Sequence, residues 1–93
     1  MLQVAGMGTP ELCRFLGIVI GIFPRDHTPA HFHAVYGEYQ ITVEIESGVV
    51  RGSFPKRALR LVLEWHEQHQ VELLDAWVAI QAGQFPNNIE PLE

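Results

Sequence analysis

The chain has 93 residues and a formal net charge of −5, and 47% of its residues are hydrophobic while 18% are charged. This length and balance predict one soluble globular domain with a single hydrophobic core. The lone Cys13 excludes a disulfide framework within the chain, and the acidic charge disfavours nucleic acid as a ligand of the chain alone.

The first predicted elements are an irregular segment over residues 1–14 and a strand over residues 15–23. The segment has no apolar period and contains two glycines and a proline. The strand, FLGIVIGIF, is apolar at both odd and even positions, which is typical of a strand buried on both faces. This apolar run is about half a membrane span, so we expect no membrane segment and a cytoplasmic protein. Residues 15–93 are assigned to a single α+β domain.

A proline-containing loop over residues 24–30 leads into a predicted β-hairpin. Its strands, residues 31–36 and 39–46, flank Gly37 and Glu38, and a glycine at the first central position is typical of a type II′ turn. Such a turn pairs the two tyrosines beside it and sets the register of the hairpin. One face is then apolar. The other carries a polar patch in which one cross-strand pair is His33 and Thr42, and the next is His31 and Glu44.

The rest of the chain predicts a short strand, two helices and a tail. The strand covers residues 49–52, and Pro55 is typical of the first turn of a helix. A break near Gln70 starts the second helix, which Gly83 ends. The predicted fold is α+β: a small antiparallel sheet of three to four strands, followed by two helices packed on one face, with an extended C-terminal tail docked on the domain.

This fold leaves part of the sheet without a cover. Two helices can cover one face, but the strand over residues 15–23 is apolar on both faces. The second face must be covered by the tail, by a second copy of the chain or by another protein. We therefore expect a homo-oligomer or a complex with a small protein partner.

Two interpretations of the histidine-rich region stay open. His31 and His33 share one strand face, and with His27 and Glu44 they form a ligand set suited to a divalent metal ion. In the second interpretation, which we prefer, Asp26 and His27 organise the loop and His31 pairs with Glu44, either as a structural feature or as part of a binding surface.

Other groups that carry chemistry are sparse. His66 and His69 are predicted to lie on the surface or at the end of the first helix, and Ser47 and Ser53 sit in turns with no evident base. Cys13 precedes the predicted domain and is expected to be inert. Without a recognisable nucleophile we expect a non-enzymatic interaction domain, and the alternative is a small metal-dependent hydrolase or nuclease that uses the histidine patch.

The region around DHTPAHFHAVYGEY resembles a bacterial family, domain of unknown function 4160. The resemblance covers residues 15–93, and Pro29-Ala30 replaces the doubled proline usual in the family. The residues that carry it are Asp26-His27, Pro29, His31, His33, Tyr36-Gly37-Glu38-Tyr39, Gly52, Pro55, Trp65, Glu72-Leu73-Leu74, Trp77 and Ile89-Glu90-Pro91-Leu92. The resemblance implies a short cytoplasmic protein, often encoded beside a second small protein, in a pair that resembles a toxin–antitoxin module. It implies no catalytic residues, because no activity is established for the family.

Overall fold

The computed structural model describes residues 11–92 as a five-stranded antiparallel sheet followed by two helices. The strands follow one another across the sheet in sequence order. This arrangement confirms the predicted α+β class, with five strands instead of three to four. Neither helix in this part of the chain is long and apolar enough to cross a membrane. The elements are β1 (Glu11–Phe15), β2 (Ile18–Gly21), β3 (His31–Tyr36), β4 (Tyr39–Glu44), β5 (Val50–Ser53), α1 (Lys56–Gln68) and α2 (Gln70–Gln81).

The main difference from the predicted fold lies in the apolar run over residues 15–23. It is not one strand, because Leu16 and Gly17 form a two-residue turn between β1 and β2. Their φ angles are +52° and +82°, and two positive values are the mark of a type I′ hairpin turn. Residues 11–14, which we had placed in the irregular segment, therefore belong to β1, and residues 1–10 lie outside the described residues.

The single cysteine belongs to the core instead of preceding it. Cys13 lies in β1 and is buried. Burial raises the pKa of its thiol to about 11, so the reactive thiolate is scarce at neutral pH.

The predicted register of the β3–β4 hairpin is confirmed. Tyr36 pairs with Tyr39, which places His33 opposite Thr42 and His31 opposite Glu44. Gly37 has a φ of +59°, whereas Glu38 does not have a positive φ, and this combination defines a type II′ turn.

The core lies between one face of the sheet and the two helices. Alternate residues of β2, β3 and β4 point to this face, and side chains of both helices join them in one buried cluster. Trp65 of α1 is fully buried, with its ring 5.8 Å from that of Phe15 and 5.7 Å from that of Phe32. The tail docks beside it, since the Trp65 indole donates to the Glu90 carbonyl at 2.8 Å and the Ile89 amide donates to the Leu12 carbonyl at 3.0 Å.

One helical histidine lies in the interior and not, as we predicted, on the surface. His66 is 5% exposed, and its Nε2 is 2.7 Å from the Ile45 carbonyl oxygen. The Gln70 side chain donates to the same carbonyl at 2.9 Å. The carbonyl that follows β4 is thus bound from both helices, which ties the hairpin to the helical layer.

Candidate metal centre

The loop between β2 and β3 brings a carboxylate to the start of β3. The chain turns at Pro24 and Arg25, where Arg25 adopts a left-handed φ of +65°, and the Thr28–Pro29 peptide bond is cis. Asp26 lies within this loop. His31 and His33 alternate along β3 and so project to the same side of the strand, where Asp26 meets them.

The Asp26 carboxylate contacts both imidazoles through one oxygen. Its Oδ2 is 3.0 Å from Nε2 of His31 and 3.0 Å from Nε2 of His33. The two rings are 5.3 Å apart, and all three side chains are largely shielded from solvent. Among the described residues, these three form a group whose candidate ligand atoms all lie within 4.8 Å of one another.

The contact of the second ring nitrogen of His31 shows that this nitrogen carries a hydrogen. Nδ1 lies 2.9 Å from the Pro29 carbonyl oxygen, which can only accept a hydrogen bond, so Nδ1 carries the hydrogen. Nε2 lies 3.0 Å from Asp26 Oδ2, an oxygen whose hydrogen bond comes from His33 Nε2 at the same distance. In the neutral ring Nε2 presents a lone pair beside the carboxylate, where a cation would contact both groups.

His33 is held in a comparable way by a side chain of β4. Its Nδ1 lies 3.3 Å from the Gln40 amide, which can donate to that nitrogen or, with its two ends exchanged, accept from it. The Phe23 ring meets the imidazole edge to face at 4.1 Å between centroids. Burial lowers the pKa of His33, although the hydrogen bond to Asp26 opposes this effect, so the neutral form is favoured. Neutral imidazole is the form that binds metal ions.

Three other predicted site residues line a neighbouring pocket. His27, Thr42 and Glu44 border a cavity of about 240 Å³, together with His31 and Arg51. His27 and Glu44 do not belong to the group that converges on Asp26. The pocket shares one wall, His31, with that group.

Glu44 is bound by other residues although it is the cross-strand neighbour of His31. Its carboxylate accepts the Ser47 hydroxyl at 2.6 Å and lies 3.5 Å from the Arg51 guanidinium. The ionic partner of His31 in the structure is Asp26. Pairing across strands fixes the distance between Cβ atoms and leaves the direction of a long side chain open.

Two of the three separations in the group are compatible with ligands around one ion, and they are also hydrogen-bond distances. Metal–ligand bonds of about 2.0–2.1 Å place neighbouring ligands about 2.9–3.4 Å apart. The two carboxylate–imidazole distances of 3.0 Å fall in this range. In addition, each histidine has its other nitrogen beside a hydrogen-bonding group, which is the usual outer arrangement of metal-bound histidines.

The comparisons with known proteins identify the family and nothing more specific. The model of the family described as "Domain of unknown function (DUF4160)" matches residues 17–78, about two thirds of the chain. The chain belongs to this family. The matched residues include the loop with Asp26 and the β3–β4 hairpin with His31, His33 and Gln40. No curated protein and no solved structure matches the chain.

Proposed function

We propose that this DUF4160 protein binds a divalent transition-metal ion through Asp26, His31 and His33. The observation that carries the proposal is the shared carboxylate oxygen 3.0 Å from both Nε2 atoms, with His31 Nδ1 held by a carbonyl. Two imidazoles and one carboxylate are a donor set that suits iron, zinc and related ions and leaves coordination positions open.

A purely structural role for the three residues is the alternative. In that role Asp26 accepts the hydrogen bond from His33 Nε2 and holds the loop against β3 without an ion. In the proposed role both Nε2 atoms present lone pairs to the ion. The two roles therefore differ in whether the site takes up one equivalent of a divalent ion.

The open positions support hydrolysis as the reaction class. A divalent ion in this setting would polarise a bound water or an ester oxygen. The neighbouring pocket offers the Glu44 carboxylate as a base and the Arg51 guanidinium as a contact for an anionic substrate group. This is the hydrolase or nuclease alternative stated above. We had predicted His27 and Glu44 as ligands beside His31 and His33, and the proposal here has Asp26 as the third ligand instead.

Titration of the purified, chelator-treated protein with Zn²⁺, Co²⁺ and Mn²⁺ tests the proposal. We expect one equivalent to bind, with release of protons, a higher melting temperature and weaker binding at pH 5.5 than at pH 7.5, because protons and metal compete for the imidazoles. Calorimetry in buffers of different ionisation enthalpy measures the protons released. Binding of less than about a tenth of an equivalent, with no change in melting temperature, would contradict the proposal.

The prediction of an interaction domain no longer has its main support. It required one long strand over residues 15–23 with an uncovered face, whereas these residues form parts of two strands joined by a turn. Pairing with itself or with a small protein encoded alongside stays a prediction. The toxin–antitoxin-like role and the cytoplasmic location also stay predictions, which rest on the family resemblance and on composition.

A further inference from the structure

A second surface, at the opposite end of β3 from His31, forms an apolar groove. Seven residues of the two hairpin ends and the start of α1 enclose about 280 Å³. We call this surface the hairpin-end groove. Its lining residues are Leu16, Ile18, Tyr36, Pro55, Arg57, Ala58 and Leu61.

Leu16 is at odds with its position in the fold. It occupies the first central place of a type I′ turn, where asparagine, aspartate or glycine is favoured, and its φ is +52°. It is also 67% exposed, so it gains little from burial. This residue strains the backbone and also exposes apolar surface, so it does not favour folding. Residues of this kind are expected at functional sites.

The other wall of the groove is held in place. The Tyr36 ring packs beside Gly17, where an added Cβ would lie 3.2 Å from the ring, and it meets the Phe54 ring at 6.1 Å. Tyr36 nevertheless remains 37% exposed, and its neighbour Tyr39 is 41% exposed. The groove therefore offers an ordered aromatic wall opposite an exposed leucine, as binding surfaces commonly do.

The side of the groove formed by α1 carries one lining cation, Arg57, and the start of this helix is basic in a protein that is acidic overall. Lys56, Arg57 and Arg60 lie in the first turns of α1 and are exposed, and they are three of the six cations of the chain. Among the described residues, no acidic side chain lines the groove. The surface is thus complementary to a negatively charged partner.

We propose that the hairpin-end groove binds a segment of another protein that carries acidic side chains around one bulky apolar side chain. The apolar side chain packs between Leu16 and Tyr36, and the acidic ones pair with the cations of α1. The two ends of this chain are less suitable occupants of the groove. Residues 1–10 contain no acidic side chain, and the tail is bound to Leu12 and Trp65 through Ile89 and Glu90.

Selection from a display library of random dodecapeptides tests this inference on the full-length protein. Enriched peptides are resynthesised with a fluorophore and titrated by anisotropy against the wild type and three variants. Leu16→Asn removes the anchor and places a favoured residue in the turn, so the fold is retained. Arg57→Glu reverses one rim charge on an exposed helix position. Val71→Ser, at a 73% exposed valine of α2, is the matched control.

The expected peptides combine aspartate or glutamate with leucine or an aromatic residue. Both groove variants should weaken their binding about tenfold or more, while the control stays within about twofold. The inference is overturned if no such peptides are enriched, or if they bind both groove variants as well as the wild type. It is also overturned if the wild type forms a dimer that Leu16→Asn dissociates, because the occupant would then be a second copy.

Discussion

Replacing Gly52 with alanine is expected to lower the free energy of unfolding by about 3 kcal/mol. An added Cβ at this position would lie 2.6 Å from the Gln40 carbonyl oxygen and 3.2 Å from the Ile41 Cα. Both atoms belong to the backbone of β4, which cannot retreat without breaking its pairing with β5. The φ of Gly52 is +108°, which adds conformational cost for any residue with a side chain.

Gly83→Ala is the matched control for this effect. Gly83 also has a positive φ, of +78°, but an added Cβ would meet nothing within 4 Å. It should cost only about 1 kcal/mol, the usual penalty for alanine in this backbone region. Urea denaturation of both variants measures the difference. Equal losses would show that the close approach of β5 to β4 does not limit the residue at position 52.

Removing an imidazole from the candidate metal centre is expected to have the largest effect on binding. His31→Ala and His33→Ala should each weaken Zn²⁺ or Co²⁺ affinity about 100-fold or more, because each deletes one of three protein ligands. Gln40→Leu keeps all three ligands and removes the amide beside His33 Nδ1, so about a tenfold loss is expected. Calorimetric titration gives the affinities.

His27→Ala is the control for these variants. It removes an exposed imidazole from the same loop, one that does not belong to the converging group, and should change the affinity less than twofold. Thermal unfolding without metal shows whether each variant is folded, which matters most for the buried His33. An equal loss in His27→Ala and His31→Ala would contradict the assignment of ligands.

The hairpin that carries the histidines was predictable in detail because its determinants are local. Gly37 followed by Glu38 selects the turn, and a two-residue turn leaves one register for both strands. The face shared by His31 and His33 follows from their spacing alone. The burial of His33 could not be predicted in the same way. The side chain is only 8% exposed because loop residues such as Phe23 cover it.

The first hairpin was not predictable because its turn carries no polar signal. A leucine occupies the turn position where asparagine is favoured, so the apolar run reads as uninterrupted. Gly17 was the available sign of a break, because glycine readily adopts the positive φ that the second turn position requires.

The carboxylate that contacts the two histidines could not be predicted from the sequence either. Strand pairing pointed to Glu44, whereas Asp26 reaches both rings because the loop folds back onto β3. The path of a nine-residue loop over residues 22–30 depends on backbone angles, such as that of Arg25, that the sequence does not display. Burial of His66 depends likewise on where α1 docks against Ile45.

Anomalous diffraction from crystals soaked with Zn²⁺, recorded at the zinc edge, locates a bound ion directly. We expect one peak about 2.0–2.2 Å from Asp26 Oδ2 and from Nε2 of His31 and His33. A contradictory result would be zinc saturation of the crystal with no peak at these atoms, and with the carboxylate still 3.0 Å from both imidazoles.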